Sequence, residues 1–340
     1  MPLCYSLSVE NGSIKRFLKN VNTFLIFSMD FKRISPLESN FTEVLSTIAL
    51  KPKMLYYYGK MPEKVGFSAF PGDKPDPERL VRPKTVAIVG TRKETPYGRE
   101  IAYQAAKACA EAGVVVVSGL AYGIDSIAHR AALDSGGITV AVLGTPINRI
   151  YPASHAGLAK EIVESGGAII SEYGEDGEGG FGEVGGNRFL ARNRLIAGLA
   201  DVVLIVEAAA RSGSLNTASH ALEQGKEVMA VPGNIDLPSS EGCNNLIASG
   251  ALVYRGKEDL LEALFPGYIA KRKSKRQKLV AFNGTKLERK VYELILQGVR
   301  DGGEIIQRAE ITVAEFNQAI SLLEIRGQVQ SLGGNQWMAI

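Results

Sequence analysis

Apolar residues through the middle of the chain occur in short continuous runs that are separated by turn residues. Such runs predict strands buried on both faces, and we expect seven of them, at Thr85–Val89, Val114–Ser118, Thr139–Leu143, Ala168–Ser171, Val202–Val206, Val228–Val231 and Leu252–Tyr254. Apolar residues at helical spacing between these runs predict helices at Tyr97–Ala112, Ile124–Asp134, Ala156–Glu164 and Leu215–Gln224. Buried strands joined by helices predict an α/β fold, a Rossmann-like parallel sheet with helices on both faces.

The same pattern divides the chain into four parts, residues 1–50, 51–265, 266–284 and 285–340. The first part has apolar residues at helix-like spacing and predicts a small N-terminal helical region. The second part is the Rossmann-like core, which we expect to open with a short strand in Lys51–Glu63 and a proline-punctuated connection, Pro71–Lys84. The third part is a basic linker.

The last part, residues 285–340, predicts a winged-helix-like domain. Three helices are expected at Lys286–Gln297, around Glu304–Ala309 and at Val313–Arg326, followed by strands Gln328–Ser331 and Gln336–Ile340. Residues 332–335 (LGGN) between the strands suit a hairpin turn. Three helices followed by a β-hairpin are typical of a helix-turn-helix with a wing.

Composition indicates a protein that works away from membranes. The mean hydropathy is +0.02, and the longest apolar runs are far too short to cross a bilayer. No secretory signal is evident, so we expect a cytoplasmic protein with no membrane contact. Cys4, Cys109 and Cys243 lie far apart without a CxxC pair, and we expect neither a metal site nor a cofactor.

Charge is unevenly distributed along the chain, although the net charge is only +3. Residues 81–265 contain 16 basic and 21 acidic residues, whereas residues 266–340 contain 12 basic and 7 acidic residues. The central part therefore cannot bind nucleic acid through bulk charge and would need a local basic cluster and backbone donors. Lys271–Lys278 has six basic residues in eight and is either a site of non-specific DNA affinity or a solvated linker.

Two glycine turns follow successive strands of the predicted sheet. Gly90-Thr91-Arg92 leaves the first strand, and Ser118-Gly119-Leu120-Ala121 leaves the second. Ligands of parallel sheets bind beyond the carboxyl ends of the strands, and glycine turns before helix N-termini accept anions. Arg92 adds a planar donor fork that suits phosphate, although an ordinary turn with a solvated arginine fits the same residues. Neither turn has the Walker or GxGxxG pattern, and Asp125 either caps the following helix or belongs to the polar pocket that the two turns could share.

Arginines are concentrated after a glycine-rich loop. The loop, Gly174–Gly186, contains seven glycines and four acidic residues, and we expect it to be mobile. With Asn187 as the N-cap of the next helix, Arg188 and Arg192 lie four apart on one helical face, and Arg194 lies elsewhere. Phe189 in this helix either stacks on a base or packs into the core. The arginines either hold phosphate or form a solvated face.

Arg211-Ser212-Gly213 is a third donor-rich turn before a helix. Glu207, just before it, either binds a ribose hydroxyl or caps or neutralises a neighbouring group. His129 is expected to pack within its helix, and no nucleophile has an evident base. The turns therefore predict anion binding, and nothing in the sequence predicts chemistry.

The motifs taken together resemble the DNA-processing protein DprA (Smf) family. They occur in order at residues 89–92 (VGTR), 118–125 (SGLAYGID), 128–133 (AHRAAL), 142–144 (VLG), 151–152 (YP), 171–173 (SEY), 192–199 (RNRLIAGL), 211–218 (RSGSLNTA), 230–235 (AVPGNI) and 242–251 (GCNNLIASGA). The resemblance covers roughly residues 50–260. Because so many motifs agree in order, it is specific.

This resemblance implies a Rossmann-like core that binds single-stranded DNA without catalysis. It also implies a homodimer that protects incoming DNA and loads the RecA recombinase in natural transformation and recombination. The family's DNA contacts carry over to Gly90, Thr91, Arg92, Phe189, Arg192 and Arg194. The full set of candidate DNA-binding residues adds the neighbouring turn and helix positions Ser118, Gly119, Ala121, Asn187, Arg211, Ser212 and Gly213.

Two alternatives stay open. Similar Rossmann folds hydrolyse nucleotide N-glycosidic bonds, and Glu207 is the residue to suspect for that activity, although the PGGxGTxxE signature of those hydrolases is absent. The winged helix could instead serve as a protein-binding adaptor. Its third helix carries two glutamates and one arginine, which suits a partner or a self-contact better than a phosphate backbone.

Overall fold

The computed structural model describes residues 30–175, 177–180, 187–269 and 284–339. It contains two compact units, residues 1–269 and 270–340. Most of the predicted N-terminal helical region and the basic segment Lys271–Lys278 lie outside the described residues, as do Asp176 and residues 181–186 of the glycine-rich loop. The described part of the first 50 residues contains one strand and two short 3-10 helices, Pro36–Glu38 and Glu43–Ser46.

The first unit is built on a nine-stranded sheet. The strands of this unit are β1 (Lys32–Ile34), β2 (Leu55–Gly59), β3 (Val65–Phe67), β4 (Asp76–Val81), β5 (Thr85–Val89), β6 (Val115–Ser118), β7 (Thr139–Leu143), β8 (Ala168–Ser171), β9 (Val202–Ile205), β10 (Glu227–Ala230) and β11 (Leu252–Val253). The sheet order is β1-β2-β8-β7-β6-β5-β9-β10-β11, and β3 and β4 form a separate pair. Strands β5 to β11 are parallel, whereas β2 joins β8 and β1 joins β2 in antiparallel fashion.

Among the described residues of this unit, seven α-helices accompany the sheet: α1 (Pro96–Glu111), α2 (Ile124–Asp134), α3 (Ala156–Glu164), α4 (Asn187–Leu199), α5 (Gly213–Glu223), α6 (Pro238–Ala248) and α7 (Lys257–Leu264). The side chains of β5 alternate between two cores, as the pleat of a strand requires. Ala87 and Val89 pack with residues of α4, α5 and α6, whereas Val86 and Ile88 pack with residues of α1, α2 and α7. Helices cover both faces, and the predicted fold class is confirmed.

The order of the strands reverses next to β5. The chain moves outward from β5 through β6, β7 and β8, and then returns to the other side of β5 with β9. The loops after β5 and β9 therefore leave neighbouring strands in opposite directions and open a crevice at the carboxyl edge of the sheet. Such a switch point is where open α/β sheets bind their ligands.

The second unit contains helices α8 (Lys286–Leu296), α9 (Gly302–Ala309) and α10 (Val313–Ile325), followed by strands β12 (Val329–Gly333) and β13 (Gln336–Ala339). The two strands form an antiparallel hairpin. Thr285 and Thr312 begin α8 and α10 with capping boxes to glutamates three residues later. The order of elements agrees with the expected one, and the winged-helix assignment stays a prediction. None of the described helices combines the length and apolar character that a membrane span requires.

Candidate nucleic-acid interface

A cleft of about 480 Å³ lies at the switch point between β5 and β9. Three glycine- or serine-containing turns and one face of α4 form its walls. The lining residues are Val89, Gly90, Thr91, Arg92, Ala121, Asp125, Phe189, Leu190, Arg192, Asn193, Ile196, Ala209, Ser212, Gly213, Ser214 and Thr217. We call this feature the strand-end cleft. A narrow slot beside it is lined by Arg92, Gly119, Ala121, Tyr122, Tyr151, Pro152, Phe189 and Arg192.

The turn after β5 is held tightly against the start of α2. Thr91 donates its backbone N–H to the Glu207 carbonyl oxygen at 2.8 Å, and its own carbonyl oxygen accepts from Ile124 N at 3.2 Å. Gly90 is required here because a Cβ would lie 2.7 Å from Cγ1 of Ile124. Arg92 is exposed and forms no ion pair among the described residues. The turn therefore presents an uncompensated guanidinium group at the rim of the cleft.

The N-terminus of α5 forms the opposite wall. Ser212 is the N-cap of this helix, and its hydroxyl accepts a hydrogen bond from Ser214 N at 3.3 Å. The first turn of a helix leaves backbone N–H groups without intrahelical acceptors and carries the positive end of the helix dipole. Ser212, Gly213 and Ser214 line the cleft, so these donors lie beside it and favour an anion there.

Arg192 lies at the floor of the cleft and is only 5% exposed. Its Nη1 donates to the carbonyl oxygens of Gly119, at 2.9 Å, and of Val142. Burial lowers the pKa of Arg192 to about 10, and the nearby Asp125 carboxylate opposes this shift. Arg192 therefore stays charged at neutral pH, and its guanidinium ties together the ends of β6 and β7.

Asp125 does not cap α2, which was one of the two roles that the sequence left open for it. The N-cap residue is Gly123, with φ at 76°, because a Cβ there would collide with the carbonyl oxygen of Thr91. The Asp125 carboxylate instead accepts from Gly119 N at 3.0 Å. Burial raises the pKa of this carboxyl, while the Arg192 guanidinium and the Gly119 N–H act in the opposite direction. Asp125 thus compensates the buried charge of Arg192.

Phe189 connects the cleft with the slot. Its ring packs against Gly144, where a Cβ would lie 2.7 Å from Cδ1 of the ring. The ring centroid is 5.3 Å from that of Tyr151, and the guanidinium carbon of Arg92 lies 5.9 Å from the Phe189 centroid. Phe189 is partly buried. It therefore contributes to packing and still presents part of its ring to the site.

Arg194 lies away from the cleft, on another face of α4. It is 2% exposed, and its Nη2 binds both carboxylate oxygens of Glu172, at 2.6 and 2.8 Å. Its Nε donates to the carbonyl oxygen of Leu50 at 2.8 Å. In this conformation the guanidinium of Arg194 is fully engaged inside the protein. The structure therefore does not bring Arg194 together with the other candidate DNA-binding residues.

Three further candidates lie outside the lining of the cleft and the slot. The Ser118 hydroxyl is buried and donates to the carbonyl oxygen of Ile88 at 2.7 Å. Arg211 is exposed next to the start of α5 but does not line the cleft. Asn187 begins α4, and its side chain lies outside the description. The candidates that do line the cleft or the slot are Gly90, Thr91, Arg92, Gly119, Ala121, Phe189, Arg192, Ser212 and Gly213.

Glu207 anchors the start of α1. Its Oε1 accepts from the Thr95 hydroxyl at 2.6 Å, and its Oε2 accepts from the Thr95 N–H at 2.9 Å. Gly98 in α1 packs against the same carboxylate, which leaves no room for a Cβ. Of the two roles considered for Glu207, the geometry favours helix capping. The carboxylate is buried and does not line the strand-end cleft.

Two expectations from the sequence concern titratable side chains: that His129 packs within its helix, and that the chain has no metal site. His129 is fully buried in α2, as expected for a packing residue, and its Nδ1 lies 2.7 Å from the Thr139 hydroxyl oxygen. Burial lowers the pKa of His129 to about 3, so the ring is neutral at physiological pH. Within the described ranges, no three His, Cys, Asp or Glu side chains are grouped so as to hold a metal ion.

Several residues of the site were not identified from the sequence. Asn193 lies beside Arg192 and donates to the carbonyl oxygen of Gly213 at 3.1 Å, which joins α4 to the α5 turn. Tyr122 and Tyr151 line the slot although neither belongs to a recognised phosphate-binding pattern. Their signal in the sequence was their place in the SGLAYGID and YP motifs, which carried the resemblance. Neither tyrosine was assigned a role from these motifs.

Comparison with known proteins supports the resemblance. The profile of the family described as DNA recombination-mediator protein A matches residues 75–265. Protein Smf of Escherichia coli is 47% identical over 179 residues, which cover 53% of this chain and 46% of that protein. The chain thus spans about half the length of this relative.

Two solved structures agree in fold. DNA processing protein A (DprA) of Streptococcus pneumoniae matches with 31% identity and a TM-score of 0.56, covering 75% of this chain and 82% of that one. DNA processing protein A of Helicobacter pylori, solved for its single-stranded DNA binding mode, matches with 28% identity and a TM-score of 0.56, covering 71% and 98%. With the family profile matching more than half of its residues, the chain belongs to the DNA recombination-mediator protein A family, whose members are also named DprA or Smf.

Proposed function

We propose that this chain binds single-stranded DNA in the strand-end cleft and serves as a recombination mediator without altering the DNA. The observation that carries the proposal is the position of Arg92. Its exposed guanidinium, which forms no ion pair among the described residues, lines the same cleft as the N-terminus of α5, at the switch point of the sheet. A guanidinium fork beside the N-terminus of a helix suits a phosphodiester.

The chemistry of the walls favours a single strand over a duplex. Phe189 and two tyrosines lie next to the phosphate donors, and a base can stack on a ring only when it is unpaired. The related protein of Helicobacter pylori is described as binding single-stranded DNA. The proposal extends that property to this chain.

The hydrolase alternative is disfavoured by the position of Glu207. An N-glycosidic hydrolase would need a carboxylate directed at the sugar, whereas both oxygens of Glu207 accept hydrogen bonds from Thr95. Turnover of a nucleoside monophosphate, abolished in Glu207→Gln, would support the hydrolase instead.

RecA recombinase and a second copy of the chain are the partners that the family membership suggests. In this proposal a homodimer holds the strand and passes it to RecA. Sedimentation measures the dimer, and RecA filament formation on oligonucleotides coated by a single-strand-binding protein measures the transfer. A monomer would refute the homodimer, and filament growth that the protein leaves unchanged would refute the transfer to RecA. Neither result would refute DNA binding.

The central test compares single- and double-stranded oligonucleotides across a salt series. Arg92→Ala removes one phosphate contact, so the slope of log K against log salt should become shallower by about 0.7 for a single strand. Lys93→Ala is the matched control, because Lys93 is an adjacent exposed cation that does not line the cleft. Equal effects of the two substitutions would mean that the cleft is not the binding site.

A further inference from the structure

Two tyrosines beside the strand-end cleft have no role in the phosphate-binding arrangement. Tyr122 and Tyr151 are 48% and 47% exposed, and both line the slot that Arg92 and Phe189 share with the cleft. Half-exposed aromatic rings at the edge of a polar site offer faces on which a base can stack. The slot lining contains two arginines and no acidic side chain, so it is compatible with a polyanion.

The ring of Tyr122 is fixed in place by its surroundings. Its hydroxyl lies 2.9 Å from the Ser154 hydroxyl oxygen, and the ring makes an edge contact with His155 at a centroid distance of 4.9 Å. Nδ1 of His155 lies 2.9 Å from the carbonyl oxygen of Leu120, in the same turn as Tyr122. Such support reduces the entropy lost when a ligand stacks on the ring.

The ring of Tyr151 is supported by the ring of Phe189. Its ring contacts Phe189 at 5.3 Å with an interplanar angle of 51°, and Phe189 in turn lies against Gly144. Because Arg92 lines both the cleft and the slot, a phosphate at Arg92 places the attached nucleoside within reach of these rings. The volume of the slot is only about 20 Å³, too small to enclose a base. A base must therefore stack on the outward faces of the rings.

We propose that Tyr122 and Tyr151 form a nucleobase-stacking subsite, which takes the base of a nucleotide whose phosphate is held at Arg92. This inference rests on the proposed single-strand binding and adds to it the path of the strand, from the strand-end cleft across the turns after β6 and β7. Stacking on an aromatic side chain tolerates any base, since every base has a π face. The subsite therefore supplies affinity without sequence preference.

The test uses two oligomers of equal length, oligo(dT) and a phosphodiester chain of abasic tetrahydrofuran units. The double variant Tyr122→Leu/Tyr151→Leu should lose at least tenfold in affinity for oligo(dT) and leave binding of the abasic oligomer unchanged. Tyr122→Phe/Tyr151→Phe keeps the rings and should restore oligo(dT) binding. Tyr97→Leu is the matched control, because Tyr97 is 50% exposed and lines neither the cleft nor the slot.

The outcomes separate this inference from the proposed function. Arg92→Ala should weaken both oligomers. If it does so while the leucine variant binds oligo(dT) normally, the subsite is refuted and strand binding stands. If the leucine variant weakens both oligomers equally, the tyrosines only support the fold and the subsite is again refuted. If the wild-type protein binds neither oligomer, both proposals fail.

A second measurement does not depend on the leucine variant being stable. Tyr122→Trp is prepared in a Trp337→Phe background, because Trp337 is the single tryptophan of the chain. Stacking of a base on the introduced indole should quench its fluorescence when oligo(dT) binds, and the abasic oligomer should leave it unquenched. Equal signals with the two oligomers would overturn the subsite.

Discussion

The buried pair with Glu172 holds the Arg194 guanidinium inside the protein. Arg194 donates to both oxygens of Glu172 and to the carbonyl oxygens of Leu50 and Ala191, and both charged side chains are at most 4% exposed. Arg194→Met removes the guanidinium and keeps much of the apolar volume. Glu172 then remains as a buried carboxylate without its cation.

The expected loss of stability is large for this reason. Removing one partner of a buried ion pair costs about 3–5 kcal/mol, because the remaining charge is desolvated and uncompensated. Glu172→Gln should cost a comparable amount, since it leaves Arg194 as an uncompensated buried cation. The double variant should cost less than the sum of the two single losses, with a coupling of about 0.5–3 kcal/mol.

Urea unfolding followed by far-ultraviolet circular dichroism measures these losses, and oligo(dT) titration at low urea measures binding by the folded variant. We expect Arg194→Met to be destabilised with nearly normal affinity, whereas Arg92→Ala should keep its stability and lose affinity. The reasoning is refuted if Arg194→Met unfolds at the wild-type urea concentration and binds DNA poorly. In that case Arg194 would be a DNA contact, as the resemblance alone implied.

Three further predictions follow from buried groups of the first unit. The native pKa of His129 is about 3, below the ordinary 6.5, so the unfolded chain takes up the proton first as the pH falls between these values. The free energy of unfolding should then fall by at most about 1.4 kcal/mol per pH unit from this group, and His129→Gln should remove that part of the slope in urea titrations. Glu207→Ala should destabilise the protein by about 1–3 kcal/mol in the same assay, because it leaves the Thr95 N–H and hydroxyl without their acceptor. Gly144→Ala should displace Phe189 and weaken oligo(dT) more than the abasic oligomer; equal weakening would contradict the packing argument.

The parallel core could be predicted almost to the residue. The runs Thr85–Val89 and Thr139–Leu143 are apolar after an initial threonine, and both form strands with those bounds. A strand buried on both faces leaves this unbroken pattern because no position can be polar without cost. The start of α1 was misplaced by one residue, at Tyr97 instead of Pro96, because Thr95 serves as the N-cap.

The antiparallel additions to the fold could not be predicted in the same way. The strand β4 is almost entirely exposed and pairs only with β3 among the described strands, so it has no hydrophobic period to recognise. The connection Pro71–Lys84 was expected to be irregular because of its prolines. Position at an edge explains why the strand tolerates Pro77.

The turns of the candidate site could be predicted from the sequence, whereas the positions of its arginine side chains could not. Turns such as 90–92 follow from local rules, since a glycine at a strand end before a helix has few other uses. The place that an arginine side chain takes depends on partners that are distant in the sequence. These partners are Glu172 and Leu50 for Arg194, and Gly119 for Arg192. Residues two positions apart in a helix point in directions that differ by about 200°. Arg192 and Arg194 must therefore meet different surroundings. Helix geometry alone could not show which of them faces the cleft.

The balance of charge in the cleft limits how strongly salt can affect binding there. Among the described lining residues the cations are Arg92 and Arg192, and Asp125 compensates the second. With one or two phosphates neutralised per site, the slope of log K against log salt should lie near −0.7 to −1.4. A much steeper slope would require cations from outside the cleft, and residues 266–340, with 12 basic and 7 acidic residues, carry the largest basic excess along the chain. Removal of residues 266–340 should then flatten a steep slope to the −0.7 to −1.4 expected for the cleft alone. A steep slope that survives the truncation would contradict the assignment of the cleft as the main phosphate contact.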